Sequence, residues 1–541
     1  MKPTVFGIDI GTGSARAGLF DATGACLASH SHPIEMWRYG ADFAEQSSAD
    51  IWRAIGICIR ECLGQSQLTR ESVVGISFDA TCSMVVVDES GDGLPVNAQG
   101  KSERDIIVWM DHRAMQETAE INAGDYDVLR YVGGTISPEM QTPKLLWLKR
   151  NLPETWDKAA RFFDLADWLT WKSCGSLSRS HCTLVCKWTY LGHENSGRGK
   201  WDEEYLRAIG IEDALGRIGE TVQPMGTPLG NLSQSAAADL GLTTNCRVGQ
   251  GIIDAHAGGL GVLGGIWADE EETDVAKLET ALALIGGTSN CHMAVSREAK
   301  FVPGVWGPYW GAMVPAMWLS EGGQSTAGAA IDWVISDHPH APILRDEAQK
   351  TGQTVYQLLN ATLEKLGGAP TLTRDFHVLP YFLGNRSPNA DSHARAIYDG
   401  ITLDDSRESL AIRYLATIQA VAYGTRDIIE AMNESGYNID TILVTGGGTK
   451  NPLWLREHAD ATGATLLLPA QSEAVLLGAA MLAASAAGLH PDLLSAMQKM
   501  SEIGESVSPS REWKAYHDAK FEIFREMYRT QQARRARMSA F

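Results

Sequence analysis

The sequence has few cysteines for its length and no long apolar run. Its 541 residues include 9 cysteines, which are scattered and form no dense framework. No stretch of about 18 apolar residues occurs, so we expect no transmembrane helix. The first apolar run ends at Asp9 and is too short for a secretory signal. These absences favour a cytoplasmic protein in a reducing compartment, with no membrane partner and no disulfide scaffold.

Positive charge is also scarce. There are 46 Lys and Arg residues against 66 Asp and Glu, a net charge of −20. A field of this sign repels polyanions, so we expect no nucleic-acid partner. The net charge does not exclude a small anionic ligand, because backbone N–H groups and one or two cations can bind a phosphate. The composition is 44% hydrophobic and 21% charged, which is typical of globular proteins, and the length predicts more than one domain.

Glycine, in contrast, is abundant, with 54 residues that cluster at turns. The first cluster, Gly11-Thr12-Gly13-Ser14, separates two β-rich runs. This strand–turn–strand pattern excludes the Rossmann and P-loop motifs, which need a helix after the loop. Gly286-Gly287-Thr288-Ser289 separates a second pair of runs about half a chain later. Two such hairpins indicate a duplicated core, although Gly-Thr-Ser turns are also common in unrelated hairpins.

Between and after the hairpins, strand and helix patterns alternate, which favours an α/β fold. The pattern predicts a strand over residues 248–253 that runs into Asp254, and a helix over 111–121 with Asp111 as its N-cap. The longest predicted helix spans 406–432, and the chain is expected to end in short helices. An acidic stretch within 266–277 separates two apolar units. We therefore predict domains at 1–268 and 269–541.

The first glycine cluster has the residue types of a phosphate site. Glycines allow a bulky anion to approach the backbone, and the Thr12 and Ser14 hydroxyls can donate to phosphate oxygens. Asp9, at the end of the preceding strand, can hold a hydrated Mg²⁺ through its carboxylate. The alternative is an ordinary hairpin turn. The same two interpretations apply to Gly287 and Thr288.

Two further segments are candidates for ligand binding. Gly446, Gly447 and Gly448 lie between a strand and a helix that starts near Asn451, where a nucleotide base or a phosphate could rest against the backbone. The alternative is a flexible connection. The small polar residues after Phe78, including Thr81 and Cys82, suit a polyhydroxyl ligand, although they are equally typical of a strand-ending turn.

Asp254 is the candidate general base, because it lies at a strand end among small residues. The alternative is a helix N-cap, a position that Asp favours. An ordinary pKa near 4 would leave this carboxyl ionised at neutral pH. Cys182 and Cys186 lie close to His181, but they lack the spacing of a zinc site.

The ordered set of motifs resembles the FGGY family of carbohydrate kinases over nearly the whole chain. The motifs that carry the resemblance are Gly7-Ile8-Asp9-Ile10-Gly11-Thr12-Gly13-Ser14-Ala15-Arg16, Trp109-Met110-Asp111-His112-Arg113, Asp254-Ala255-His256, Gly286-Gly287-Thr288-Ser289-Asn290-Cys291-His292, Glu321-Gly322-Gly323-Gln324-Ser325, Asn385-Arg386-Ser387-Pro388 and Thr445-Gly446-Gly447-Gly448. Asp254-Ala255-His256 is similar to the ribulokinases more than to the glycerol kinases, and the run from Phe78 to Ser83 is similar to the D-ribulose kinase branch.

The resemblance implies an α/β fold with two actin-like (ribonuclease H-like) ATPase domains and a cleft between them. It further implies an ATP- and Mg²⁺-dependent kinase that phosphorylates the C5 hydroxyl of a ketopentose, most closely D-ribulose. Asp254 would be the catalytic base and Asp9 would orient Mg²⁺. The sugar-binding residues implied are Thr81, Cys82, Lys187, Asp254 and Glu321. The nucleotide-binding residues implied are Thr12, Gly13, Ser14, Arg16, Gly287, Thr288, Gln324, Gly446, Gly447, Gly448 and Asn451.

Several alternatives remain open from the sequence. The sugar could be L-ribulose, D-xylulose or a pentitol such as ribitol. The chain could also be a non-catalytic sugar or nucleotide sensor, or an actin-like ATPase that acts on a protein partner. The presence of Asp254 and of both hairpin threonines favours the kinase. The sequence does not fix the oligomeric state, and a homodimer stays open.

Overall fold

The structure is a computed structural model that describes residues 2–268, 270–539 and 541. Met1 and Asp269, at which the two predicted domains begin, lie outside the described residues. Among the described helices, none has both the length and the apolar character needed to cross a membrane.

The strands fall into two groups along the chain. Those of the N-terminal half are β1 (Thr4–Ile10), β2 (Ser14–Asp21), β3 (Cys26–Pro33), β4 (Met36–Tyr39), β5 (Phe43–Gln46), β6 (Val73–Ala80), β7 (Met84–Val87), β8 (Ile106–Ile107), β9 (Arg161–Asp164), β10 (Arg179–Ser180), β11 (Val222–Gln223), β12 (Pro228–Asn231), β13 (Arg247–Gly249) and β14 (Ile252–Ile253). Those of the C-terminal half are β15 (Ala281–Gly286), β16 (Asn290–Ser296), β17 (Trp306–Trp310), β18 (Trp318–Gln324), β19 (His377–Leu379), β20 (Ile397–Asp399), β21 (Thr441–Gly446), β22 (Thr465–Pro469) and β23 (Ile503–Val507).

The α-helices are interspersed among these strands. Those of the N-terminal half are α1 (Ser48–Ser66), α2 (Met115–Asn122), α3 (Gln141–Asn151), α4 (Pro153–Lys158), α5 (Leu165–Cys174), α6 (His181–Lys187), α7 (Glu194–Gly197), α8 (Glu203–Ala208), α9 (Leu215–Ile218), α10 (Gln234–Leu240) and α11 (Asp254–Leu263). Those that follow are α12 (Val275–Leu278), α13 (Gly328–Asp337), α14 (Ala341–Thr351), α15 (Val355–Lys365), α16 (Arg407–Glu434), α17 (Pro452–Thr462), α18 (Ala474–Ala486), α19 (Leu493–Met500) and α20 (Lys514–Met538).

Each half is built on one large sheet, and the two sheets share a pairing pattern. The first has the order β12-β13-β6-β1-β2-β3, with β14 also paired to β6, and the second has the order β17-β18-β16-β15-β21-β22-β23. In the first sheet, β1 is antiparallel to β2 and parallel to β6. In the second, β15 is antiparallel to β16 and parallel to β21. This repeated pattern confirms the duplicated core that the two glycine-rich hairpins indicated.

The parallel pairing determines where the candidate site forms. Strands β1, β6 and β14 run in the same direction, with Asp9 paired to Asp79 and Ile253 paired to Ala80. The carboxyl ends of parallel strands meet at one edge of a sheet, where α/β proteins bind ligands. This register brings the first hairpin, Thr81 and Asp254 to the same edge.

The two halves are joined by close packing between α11 and α18. A methyl group at Gly261 would lie 1.9 Å from the carbonyl oxygen of Ala474, and one at Gly478 would lie 1.9 Å from that of Ala257. Only glycine therefore permits the helix backbones to contact each other at these two points. Because Asp254 is the first residue of α11, this packing also fixes the start of the helix at the cleft.

Most predicted elements are confirmed, and three expectations are wrong. The strand predicted over 248–253 is interrupted at residues 250–251, where the Gln250 backbone bonds to Gly226 and Thr227, so β13 and β14 are separate strands. Helix α16 begins as predicted, because the Ser406 side chain accepts a hydrogen bond from the Ser409 N–H. Helix α2, however, begins at Met115, and Asp111 is not its N-cap. The buried Asp111 carboxylate instead pairs with Arg113, with a 2.8 Å bond from Nε to Oδ1. The chain also ends in the 25-residue helix α20 and not in short helices.

Candidate active site

A cavity of about 470 Å³ lies between the two halves, and most of the predicted site residues line it. The lining includes Asp9, Gly11, Thr12, Arg16, Thr81, Cys82, Lys187, Asp254, Gly286, Gly287, Thr288, Ser289 and Glu321. Both glycine-rich hairpins therefore contact the same space as the candidate base and the candidate sugar-binding residues.

The first hairpin turns tightly at the cavity wall. The Gly11 N–H donates to the Ser14 carbonyl oxygen over 3.0 Å, which closes the turn. The Thr12 hydroxyl accepts a 3.1 Å hydrogen bond from the Trp109 indole, so its orientation is fixed. Gly13 is exposed and Ser14 is half-buried, and neither lines the cavity. Their contact with phosphate remains a prediction.

Asp9 lies at the cavity edge beside two charged side chains. Arg16 Nε donates to Asp9 Oδ2 over 2.6 Å, and its NH1 group reaches Glu473 over 3.1 Å. The buried carboxyl of Asp79 lies next to Asp9 on the paired strand. Its oxygens have no hydrogen-bond donor among the described residues. Burial, followed by the charge of Asp9, raises the pKa of Asp79 well above its ordinary value. Carboxylate oxygens are the donors that Mg²⁺ prefers, and the Asp9 carboxylate lines the cavity, so Asp9 fits the ion.

The second hairpin separates the first cavity from a second one. The Gly287 N–H donates to Ser289 over 2.9 Å, and the Thr288 carbonyl oxygen accepts from the Ala327 N–H over 2.9 Å. Gly286, Gly287 and Thr288 line both cavities. An elongated ligand could therefore occupy the second cavity and reach the first across this hairpin.

The second cavity, of about 930 Å³, lies within the C-terminal half. Gly447, Gly448 and Asn451, three of the predicted nucleotide-binding residues, line it. Asn451 is the N-cap of α17, because its side chain accepts from the Leu453 N–H. Its Nδ2 group also donates to the Tyr414 hydroxyl over 2.7 Å. These bonds fix the loop that forms one wall of the cavity.

Besides Gly13 and Ser14, two further predicted nucleotide-binding residues, Gln324 and Gly446, line neither cavity. Gly446 has a φ of +107°, and a Cβ there would lie 1.8 Å from the Gly286 carbonyl oxygen, so it allows β15 and β21 to approach closely. The Gln324 side chain donates to the Val421 carbonyl oxygen over 2.8 Å and accepts from Asn290 over 2.9 Å. The ligand contacts of these two residues remain predictions.

Asp254 is half-buried at the first position of α11. The N-cap of this helix is Ile253, and Asp254 Oδ1 accepts a 2.7 Å hydrogen bond from the N–H of the adjacent Ala255. The side chain thus does not cap the helix. Burial and the nearby charge of Asp9 raise its pKa to about 6, which corrects the ordinary value near 4 that the sequence suggested. A carboxylate with this pKa remains largely ionised at pH 7 and above.

A buried cation, Lys187, and a buried anion, Glu321, also line the cavity. Lys187, at the end of α6, has its ammonium 5.4 Å from the centre of the Trp306 ring. Burial raises the pKa of Glu321, but hydrogen bonding to His256 and the charges of His256 and Lys187 outweigh it and lower the pKa to about 2. Thr81 is 3.0 Å from the Ser83 hydroxyl. Charged and neutral polar groups thus face one small space, as recognition of several hydroxyl groups requires.

Several lining residues were not identified from the sequence as site residues. In the first cavity they include Trp109, Glu139, Trp306 and Arg386, and in the second they include Tyr356, Asn360 and Trp454. Trp109 and Arg386 lie within two of the motifs that carry the family resemblance. Tyr356 and Asn360 lie four residues apart on one face of α15, which is a signal that could have identified them.

The chain is similar to known proteins over nearly its whole length. Residues 4–261 match the N-terminal domain of the FGGY family of carbohydrate kinases, and residues 282–487 match its C-terminal domain. The chain is 46% identical over 528 residues to a human FGGY carbohydrate kinase domain-containing protein, covering 96% of this chain and 95% of the relative. It is 38% identical over 510 residues to a D-ribulokinase of Saccharomyces cerevisiae, covering 89% of this chain and 71% of the relative.

The fold is also shared with solved structures. A xylulose kinase from Rhodospirillum rubrum superposes with a TM-score of 0.78 at 23% identity, covering 98% of this chain and 99% of that one.

Proposed function

Since the chain belongs to the FGGY family of carbohydrate kinases, we propose that it transfers the γ-phosphoryl group of ATP to the C5 hydroxyl of D-ribulose. The product is D-ribulose 5-phosphate. In this proposal, residues 1–268 form the sugar-binding domain with the first phosphate hairpin, and residues 269–541 form the domain that binds adenosine. The enzyme acts in the cytoplasm on a small-molecule sugar.

One observation carries the proposal. Both hairpins and Asp254 line a single cavity, and the second hairpin also forms a wall of the larger cavity beside Gly447. The adenosine would occupy the larger cavity and the triphosphate would pass over Gly287 and Thr288. The γ-phosphate would then lie between the two hairpins, where backbone N–H groups and hydroxyls can neutralise its charge.

The chemistry requires one proton acceptor and an in-line arrangement. Asp254 accepts the proton of the sugar C5 hydroxyl while that oxygen bonds to the γ-phosphorus. The bond from the γ-phosphorus to the bridging oxygen breaks, and ADP leaves with the electron pair. The raised pKa of about 6 makes Asp254 a stronger base than an ordinary aspartate, while it remains ionised at neutral pH.

A divalent cation fits the carboxylate side of the cavity. Mg²⁺ bound there would neutralise the phosphate oxygens and the charge that develops on the leaving group. Asp9 is the side chain that would orient it, and the adjacent Arg16 fixes Asp9 through the 2.6 Å bond.

The choice of a ketopentose is supported by the residues at the sugar end and by one relative. Lys187 and Glu321 offer a fixed cation and a fixed anion to sugar hydroxyls, and Thr81 and Cys82 form the adjoining wall. A sugar with the wrong stereochemistry would leave these buried groups unmatched, which costs about 1–3 kcal/mol per group. The relative named as a D-ribulokinase supports D-ribulose over other pentuloses.

The test is an ATP-consumption assay with D-ribulose, L-ribulose, D-xylulose and ribitol as acceptors. We expect D-ribulose to give a kcat/KM at least about 10-fold above the others, the discrimination that one mismatched polar contact provides. Phosphorus NMR of the product should show a phosphate on C5. A higher kcat/KM for another acceptor would reassign the sugar. Binding of sugar without turnover of any acceptor would instead favour the sensor.

A further inference from the structure

A series of hydrogen-bonded, buried side chains extends from Glu321 in the cavity wall into the N-terminal half. Glu321 Oε2, at the cavity wall, is 3.3 Å from His256 Nε2. The other ring nitrogen of His256, Nδ1, is 3.1 Å from Cys182 Sγ. His256 is 1% exposed and Cys182 is fully buried, so both ring nitrogens of His256 are shielded from solvent.

This series of side-chain contacts connects the two domains. Cys182 and His256 fall within the N-terminal family domain, which covers residues 4–261, whereas Glu321 falls within the C-terminal domain, which covers residues 282–487. Glu321 is on β18, a strand of the second sheet, yet it faces Lys187 and Asp254 of the first half across the cavity. The bond from His256 is a direct polar contact between Glu321 and the half that carries the base.

The same secondary-structure elements carry the groups at the cavity and the groups behind it. Helix α11 carries Asp254 at its first position and His256 at its third. Helix α6 carries Cys182 behind the wall and Lys187 at the cavity. A displacement of His256 would therefore change the position of Glu321 relative to Asp254 and Lys187.

We propose that His256, anchored by Cys182, is a positioning residue that holds the Glu321 carboxylate of the C-terminal domain in the sugar site of the N-terminal domain. The proposal rests on the proposed function, because it takes the sugar as the ligand of Glu321. His256 does not line the cavity, so its effect on the sugar passes through Glu321.

The charges of His256 and of its two partners suit this positioning role. Burial lowers the pKa of His256, but the neighbouring Cys182 and Glu321 outweigh it and raise the pKa to about 10. A protonated imidazole donates from both ring nitrogens, which suits the two acceptors. The Glu321 carboxylate thus has a charged donor fixed behind it and keeps its other oxygen for a ligand.

A metal ion is the competing explanation for this cluster. Cys182, Cys186 and His256 each offer a ligand atom, and these atoms lie within 4.8 Å of one another. Structural zinc sites are closed by four ligands, whereas this cluster of described residues supplies three. The 3.1 Å separation of Cys182 Sγ and His256 Nδ1 also corresponds to a direct hydrogen bond.

The test compares two amides at position 256. In His256→Gln the side-chain amide can still reach Glu321, and in His256→Asn it can reach only Cys182. We expect His256→Asn to raise the sugar KM by about 10- to 100-fold, the effect of leaving a buried charge without its partner. The KM for ATP and kcat should change by less than about threefold, because the variant weakens sugar binding equally in the ground state and in the transition state. His256→Gln keeps a donor to Glu321 but loses the contact with Cys182, so it should raise the sugar KM less than His256→Asn does and leave kcat and the KM for ATP within about threefold of the wild type.

Two further variants guard against a loss of folding. Cys182→Val removes the hydrogen-bond partner of His256 Nδ1 and should raise the sugar KM. Cys182→Ser keeps a polar partner for this nitrogen and should have a sugar KM close to that of the wild type. The matched control is His292→Asn, because His292 is fully buried on β16 and bonds to Thr425 instead of Glu321. It should leave the sugar KM unchanged.

The outcomes separate the two proposals. If the wild type phosphorylates a sugar and His256→Asn keeps its sugar KM, the positioning role is refuted and the proposed function stands. If the wild type phosphorylates no sugar, both the proposed function and the positioning role are refuted. One equivalent of zinc in the purified protein, lost in Cys186→Ser, would replace the positioning role with a metal site.

Discussion

Replacing Asp254 with Asn should change activity and stability in opposite directions. The amide cannot accept the proton of the sugar hydroxyl at neutral pH. It keeps an oxygen that can accept the 2.7 Å hydrogen bond from the Ala255 N–H. The substitution is nearly isosteric, so the start of α11 should be preserved. We expect kcat to fall by at least about 100-fold, the lower end of the contribution of a general base.

The expected gain in stability follows from the raised pKa. The carboxyl has a pKa of about 6 in the folded protein against 3.8 as its ordinary value. The folded state therefore favours the protonated form, and the stability that this group contributes is present below pH 4 and lost as the pH rises through 6. At pH 7.5 the ionised carboxylate costs at most about 3 kcal/mol, at about 1.4 kcal/mol per pH unit. The amide removes that cost.

The assay combines steady-state kinetics with urea unfolding of both proteins at pH 4 and pH 7.5. Asp254→Asn should be the more stable protein at pH 7.5 and equal to the wild type near pH 4. Asp492→Asn is the control, because Asp492 caps α19 through the Ser495 N–H and Asn caps equally well. Near-normal turnover of Asp254→Asn, or a loss of stability at pH 7.5, would refute this reasoning.

Three further predictions follow from the same geometry. The kcat/KM for the sugar should be half-maximal near pH 6 and fall tenfold per unit below it, as Asp254 becomes protonated; a flat profile from pH 5 to 8 would contradict the assignment. Glu321→Gln should raise the sugar KM by about 10- to 100-fold with an unchanged KM for ATP, and an equal rise in both constants in initial-rate measurements would speak against a sugar contact. Gly446→Ala should lower the free energy of unfolding by about 2 kcal/mol or more, because its Cβ would clash with Gly286 at a positive φ. Gly447→Ala, with no atom within 4 Å of the new Cβ, should leave thermal denaturation nearly unchanged.

The elements around the site could be predicted from the sequence where the signal is local. The hairpins β1–β2 and β15–β16 have apolar runs on both sides of a glycine turn, and that pattern needs no distant contact. The capping serine of α16, Ser406, is likewise a local signal. The motif order then identified the family, which placed Asp254, Thr12 and Thr288 around one cleft.

The parts that could not be predicted depend on contacts between distant residues. Asp111 has the sequence of a helix cap, but its ion pair with Arg113 inside the protein outweighs that preference. The raised pKa of Asp254 comes first from burial and then from Asp9, which is 245 positions away and approaches only through the strand order. The contact of His256 with Glu321 spans both domains and leaves no pattern in the sequence.

A crystal structure with a non-hydrolysable ATP analogue, Mg²⁺ and D-ribulose tests the central claim most directly. We expect the γ-phosphate between Thr12 and Thr288, and the sugar C5 oxygen within about 3.2 Å of an Asp254 carboxylate oxygen, the distance that proton transfer requires. A triphosphate outside the two hairpins, or a sugar hydroxyl that faces away from Asp254, would contradict the account.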